Sequence, residues 1–557
     1  MKKQILFGLS LLLLTGCVES DMLPGGSTVT SGQMEKMNDT DPENMLASSV
    51  NAIFASMKAS MPVTGESGTG TERHNDFGYP SIMMFTDANG FDVVSEDNGY
   101  NWSGNELDYS DRIYTSNESL IVWSTMYKMI FATNDVISKV DLDSEDPKVQ
   151  FYIGQILAVR AFDYWLLAQL YQFNYKDNKT KPCVPLITEE NTEEALENGC
   201  ARATVEDVYK QILEDLDGAI EALTYAQTNG VKRADRRYID LAVAYGLRAR
   251  VNLTMENWSA AAEDAQNAID NTDAVPSSFA EASRPAFADI NEPNWMWGII
   301  IEETDEVVET GICNWISHMG SFNYGYCWYS GGRQINQTLF NSINDSDVRK
   351  GWWVGADTTS KNLTEEENYY MGATNEEECF CYPAYTQVKF APYKNELFTE
   401  TNANDMPIMR VEEMYLILAE GQAMSGSAEA KTTLEDFITS CRDSLYTCPD
   451  VTGAALQDEI WRQRRIELWG EGLSWYDIMR LKKGVDRRGA GYPDDHTIFN
   501  IANDDPILLW RIPESEIQAN KLISDEDNNP NAPAPEPVPD FGEEGGEGGE
   551  GGEGGEA

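Results

Sequence analysis

Residues 236–271 constrain the fold more than any other stretch. They form two amphipathic segments, 236–254 and 259–271, joined by the short connection Met255-Glu256-Asn257-Trp258. Small side chains stand where two helices must approach closely: Ala249 on the first, and Ala261, Ala265 and Ala268 on the second. One helical hairpin cannot bury its apolar face alone, so this pair requires neighbours of its own kind. The chain supplies them. Apolar residues recur at helical spacing over 120–140 (Leu120, Ile121, Met126, Met129, Ile130, Val136, Ile137) and 149–172 (Phe151, Ile156, Val159, Phe162, Trp165, Leu166, Leu170). Thr204-Val205-Glu206-Asp207 has the form of a capping box, and Val205, Val208, Tyr209, Ile212, Leu216 and Leu223 follow it on one helical face. The pairs 120–172, 204–271 and 408–445, with a later helical segment at 454–483, predict a mainly α scaffold.

The pattern Gly246-Leu247-Arg248-Ala249…Asn257-Trp258-Ser259-Ala260-Ala261…Ala268-Ile269 resembles a tetratricopeptide repeat. The expected architecture is therefore a scaffold of tetratricopeptide-like helical hairpins with few short strands. Between 272 and 405 the helical period fades and Gly, Pro, Asn and aromatics crowd the chain. This reads as an irregular insert of loops, short strands and short helices, and long irregular segments inside a compact body are usually functional. Asp505 to Pro513 reads as a short terminal strand. Order is expected to end after Asn528, leaving 531–557 as a Pro-, Gly- and Glu-rich tail whose Gly-Gly-Glu repeat from Gly542 to Ala557 has nothing apolar to bury.

Charge narrows the function. Lys and Arg number 41 against 93 Asp and Glu, a net −52, and residues 532–557 carry only eight of those acids. The acidity belongs to the body, which repels nucleic acid and anionic lipid. Only His74, His318 and His496 are available for histidine chemistry, and they are far apart. At the N-terminus Met1-Lys2-Lys3 precedes an apolar run from Ile5 to Leu14, too short to span a bilayer and so a secretion signal, residues 1–16. The run ends Leu14-Thr15-Gly16-Cys17, which matches the lipobox of bacterial lipoprotein signals; that match implies cleavage before Cys17 and acylation of its thiol. Residues 17–40 then form a tether, and 41–530 the body.

Several separated motifs resemble one family in its order. Gly154 to Trp165, followed by Pro182-Cys183-Val184-Pro185-Leu186, is similar to the second helix and "VPL" turn of SusD/RagB proteins. Met409 to Glu420 resembles the family's "R-x-A-E-x-Y-L-x-x-A-E" helix, and Arg462 to Arg480 its C-terminal signature, with Leu473-Ser474 where an Arg is usual. Ile512-Pro513, Glu516-Ile517 and Asn520 match the closing motif. The resemblance implies a surface lipoprotein of the outer membrane that captures glycans as the lid of a SusC-like TonB-dependent transporter. Acids just behind Cys17 (Glu19, Asp21) resemble the export signal of Bacteroidota lipoproteins. The RagB branch implies peptide capture as the alternative, and a surface glycosidase is the distant one. With 93 acids a close carboxylate pair arises by chance, and no nucleophile motif stands out, so no catalytic residue is assigned.

Neutral sugars need flat aromatic platforms and a few placed polar groups. Two segments offer them. Asp87 to Tyr109 holds Asp87, Trp102 and Asn105, and 295–329 holds Trp315, Tyr326, Trp328 and Tyr329. The alternation of Phe322, Tyr324, Tyr326 and Trp328 predicts four rings on one face of an extended segment. Trp295 and Trp297, ahead of Ile299-Ile300-Ile301, read as core, as do Trp165, Trp461 and Trp469, whereas one ring of Trp352-Trp353 should be exposed. Arg464, Glu467, Glu471 and Arg480 sit at helical intervals and read as a structural ion-pair network. No cofactor is expected. No C-x₂-C pair supports zinc, no ligand spacing supports calcium, and the eight cysteines after Cys17 suggest disulfides, with Cys183–Cys200 and Cys441–Cys448 each closing a loop.

Overall fold

The computed structural model describes residues 42–60, 63–64, 70–71, 74–99, 102–372 and 381–541. The signal segment, Cys17, the tether, Cys379 and the end of the tail lie outside the described residues. In chain order the helices that build the scaffold are α1 (Pro42–Ser56), α2 (Tyr79–Asn89), α3 (Asn117–Ile137), α4 (Pro147–Tyr171), α5 (Val205–Thr228), α6 (Leu241–Thr254) and α7 (Trp258–Asn271). After the insert come α11 (Val411–Ser425), α12 (Ala430–Cys441), α13 (Ala454–Glu467) and α14 (Ser474–Arg480). Within the insert lie α8 (Trp315–Met319), α9 (Tyr326–Tyr329) and α10 (Glu365–Gly372).

The caps were written locally. Ser116, Asp146, Thr204 and Asp240 each accept a hydrogen bond from a backbone N–H of the first turn of α3, α4, α5 and α6. Packing then runs helix to helix: α4 along α5, α6 along α7, α7 along α11, and α11 along α12 and α13. Ala249, Ala261, Ala265 and Ala268 are all fully buried, as hairpin packing requires. α7 comes close to α11 at Gly421, where an added Cβ would lie 2.6 Å from the Trp258 carbonyl oxygen. Strands are short two-residue to five-residue pairs. Those that concern the scaffold and the site are β1 (Val93–Val94), β2 (Pro182–Pro185), β3 (Arg202–Thr204), β4 (Trp295–Ile299), β5 (Gln334–Ile335) and β6 (Met406–Arg410), paired antiparallel as β1 with β5, β2 with β3 and β4 with β6, and two further two-residue pairs join Val63–Thr64 to Gly70–Thr71 and Val485–Asp486 to Asn500–Ile501. Trp295 and Trp297 are wholly buried on β4, and so are both Trp352 and Trp353, each covered by its own neighbours rather than one facing water. Residues 505–513 form no strand: Pro506–Leu508 is a 3₁₀ turn, and the Trp510 N–H donates to the Leu170 carbonyl at the end of α4 (2.9 Å).

The C-terminal signature is two helices, not one. Gly470 and Gly472 both take left-handed φ (73° and 72°), and an added Cβ at Gly472 would lie 2.5 Å from the Met83 side chain, so the turn is reserved for glycine. The break sends the charges across elements instead of along one face. Glu467 meets Arg442 (2.8 Å), Arg349 (3.2 Å) and Arg410 (3.2 Å), and Glu471 meets Arg410 (2.8 Å) and Lys389 (2.6 Å), all buried. Arg464 pairs with Asp477 (2.7 Å), and Arg480 with Asp477 (2.8 Å) and Glu420 (2.6 Å). Burial alone would raise the Glu467 carboxyl, but the three guanidiniums overcome it and hold the group well below the carboxylate range. Where the family pattern has Arg, the Ser474 hydroxyl donates to Asp92 (2.9 Å), and Arg465 supplies the countercharge (2.6 Å).

Cys183, Cys200, Cys441 and Cys448 are free thiols, which overturns the two loop-closing disulfides; burial pushes the Cys183 thiol up to about 12. Cys381 is disulfide-bonded. Beyond Asn528 the chain continues in contact with the body. The Asn529 side-chain amide donates to the Tyr171 and Trp510 carbonyls (2.8 Å each), and Val538 donates its N–H to the Ile498 carbonyl (2.9 Å) and packs on the cluster of Val94, Leu107 and Tyr492, so the chain beyond Asn528 is anchored as far as Val538.

Candidate functional site

Strand β1 pairs with β5 through Val93–Ile335 and Val94–Gln334. That pairing brings the loop after β1 beside the loop before β5, two segments distant in sequence. Asn98 Nδ2 donates to the Tyr329 carbonyl (3.1 Å), and Gly331 passes close enough to Glu96 that an added Cβ would lie 3.0 Å from its carboxylate. Trp102 is held in a left-handed backbone conformation (φ 49°), and its carbonyl accepts from Asn75 Nδ2 (3.3 Å).

The rings gather here. Trp102, half-buried, lies 4.8 Å from the His74 ring and 6.1 Å from Tyr326, which it meets edge-on. His74 Nδ1 is hydrogen-bonded to the Tyr326 hydroxyl, and the His74 carbonyl accepts from His318 Nε2 (2.8 Å). Tyr326 in turn stacks on His318 at 4.9 Å. From the same short helix, α9, Trp328 lies 4.9 Å from Tyr329, and Tyr324 lies 6.2 Å from Trp328 and 5.9 Å from Tyr329, with the two tyrosine hydroxyls 3.1 Å apart. Tyr329 is 42% exposed. Acids stand at the rim, where the Asp97 N–H donates to the Asp494 carboxylate (2.7 Å). Uncharged π-faces, phenol hydroxyls and an acidic rim suit a neutral polyhydroxy ligand and repel an anionic one.

Trp102, Trp328 and Tyr329 therefore converge around Tyr326, whose own ring is buried (7% exposed). Two other expected contacts do not. Trp315 is 5% exposed and packs edge-on against Phe390 at 4.8 Å, a core residue rather than a platform. Asp87 is buried on α2, where its Oδ2 accepts from the Gly472 N–H (2.9 Å) and burial pushes its carboxyl up to about 8. It latches α2 to the C-terminal turn. Asn105 is exposed, and its side-chain oxygen accepts from the Ser110 hydroxyl (3.2 Å). The four-ring alternation is also replaced: Phe322 is wholly buried against Val354, Met371, Tyr382 and Val388, and α9 winds Tyr326, Trp328 and Tyr329 around a turn. Tyr324, one of the four alternating rings, stays beside Trp328 and Tyr329, and His74 joins the site without having been singled out. His74 carried no local signal, because its partners are joined to it only by tertiary structure. Among the described residues no group of three or more His, Cys, Asp or Glu is placed to hold a metal ion.

Residues 39–253 match the family model described as SusD-like, "Starch-binding associating with outer membrane", and residues 312–531 match that of the SusD family. The chain belongs to the SusD/RagB family. It is 25% identical over 435 residues to SusD-like protein P2 of Formosa agariphila, covering 73% of this chain and 79% of the relative. Its fold is that of a SusD-like carbohydrate binding protein from Bacteroides vulgatus (TM-score 0.69, 21% identity, 87% of this chain and 98% of that one). A SusD superfamily protein from Bacteroides thetaiotaomicron matches similarly (TM-score 0.66, 20% identity, 88% and 99%). SusD-like structures thus share the fold described above.

Proposed function

We propose that this SusD-family chain is a non-catalytic surface protein that captures neutral oligosaccharides or polysaccharides on the ring surface of Trp102, Trp328 and Tyr329, which surrounds the buried Tyr326. The observation that carries the reading is the convergence of these rings, from two distant loops, at an acidic and partly exposed surface. Support comes from the relative whose structure is described as carbohydrate binding. The motif resemblance adds the setting: acylation at Cys17, the extracellular face of the outer membrane, and delivery to a SusC-like TonB-dependent transporter. Among the described residues no helix is long and apolar enough to cross a membrane.

The test is capture by the body lacking residues 1–17 from mixed plant, host and microbial oligosaccharides and a protein digest, with the retained species identified by mass spectrometry. One glycan class is expected to be retained, and Trp102→Ala or Trp328→Ala is expected to weaken it about tenfold, the size of roughly 1.4 kcal/mol of lost stacking. Retention of peptides and no sugar would replace the glycan reading with peptide capture.

A further inference from the structure

A second group of rings lies beside the first. Residues 322–324 run parallel to 398–399: Asn323 is bridged to Thr399, the Phe398 N–H donates to the Phe322 carbonyl (2.9 Å), and the Tyr324 N–H donates to Thr399 (3.0 Å). Chains paired this way lie ~4.8 Å apart, so Phe398 is carried alongside the segment that presents Tyr324. Phe398 adopts a left-handed φ of 60° and is 37% exposed. Its ring meets Tyr370 edge-on at 5.4 Å, and Tyr370 meets Tyr369, 51% exposed on α10, at 5.8 Å. Trp328 and Tyr370 rest on one small core formed by Phe322, Val354, Met371, Tyr382 and Val388.

We infer that Tyr369, Tyr370 and Phe398 form a second subsite, continuous with the Trp328–Tyr329 surface, that takes further sugar units of the same neutral chain. The inference rests on the glycan reading of the first surface. Two features fix the occupant. The first turn of α10 carries Glu365, Glu366 and Glu367, which repel an anionic polymer. Backbone hydrogen bonds join the two surfaces directly, so one extended ligand can lie along both. The protein is then built for a chain lengthwise, not for a mono- or disaccharide.

The experiment is calorimetric titration of the body with size ladders of linear neutral oligosaccharides derived from starch, cellulose, xylan and mannan. Wild type is compared with Trp102→Ala/Trp328→Ala and with Tyr369→Ala/Phe398→Asn. Asparagine tolerates the left-handed backbone at 398, and circular dichroism checks the fold of each variant. The longest ladder members should bind wild type at least tenfold more tightly than the shortest. Tyr369→Ala/Phe398→Asn should abolish that gain and leave the shortest members unchanged. A full length-dependence surviving in that variant, while Trp102→Ala/Trp328→Ala loses binding, overturns the second subsite and leaves the first intact. Unaltered binding in both variants, or no binding by any ladder, overturns both readings.

Discussion

Trp102 and Trp315 look alike on paper, each a tryptophan in a loop-rich stretch, and the structure separates them by what lies beneath. Trp102 faces His74 and Tyr326 with part of its ring in water, whereas Trp315 is closed in against Phe390. Trp315→Ala should therefore lower stability by about 3–5 kcal/mol, as truncation of a buried ring does, and leave the affinity of the folded fraction unchanged. A urea titration and a binding titration on the same sample read both; a large affinity loss at full stability would return Trp315 to the site. Asp87 is the second residue to change role. Its carboxyl holds a proton in the folded state up to about pH 8, where an exposed aspartate would have lost it. Asn at 87 keeps an oxygen for the Gly472 N–H and cannot ionise, which makes Asp87→Asn a clean probe of the pH dependence considered below.

Helices were the elements most open to reading. The periods over 120–140, 149–172 and 259–271 became α3, α4 and α7 within a few residues, because their apolar residues recur at a fixed spacing; α7 buries one stripe, whereas α4 is buried on nearly every side from Ile153 onward. The 454–483 segment shows the limit: its apolar period runs on, but two left-handed glycines divide it and turn the acids toward Arg349, Arg410 and Arg442 from other elements. Gly421 tests how strictly hairpin contacts are set. Helix propensity favours Gly421→Ala by about 1 kcal/mol, but the new Cβ would meet a backbone carbonyl on α7, and forced overpacking costs about 1–3 kcal/mol. Packing should win, so the urea midpoint of Gly421→Ala falls; an unchanged slope with a rising midpoint would show that α7 can yield.

Across the whole molecule, buried acids tie stability to pH. Burial pushes Asp87 to about 8, Glu292 to about 7, and Asp111 and Asp405 to about 6. In the unfolded chain all four ionise near pH 4, so between about pH 5 and pH 8 the folded state binds more protons and rising pH favours unfolding. Glu467, Glu471 and Asp477 run the other way, since their depressed groups stabilise the fold above pH 4 and lose that contribution below it. The urea midpoint is expected to be highest near pH 5 and to fall toward pH 8, less steeply in Asp87→Asn; a midpoint that rises over that range would contradict the assignment. The amino-acid sequence by itself determined the helical scaffold, the acidic character and the family's ordered motifs, because those are local periods, sums of charge and short patterns. Tertiary structure alone decided which rings reach water and which acids lie buried. Trp102, His74 and Tyr326 meet only because β1 pairs with β5 from a distant part of the chain, and exposure is a property of what packs on a residue, not of its neighbours in sequence.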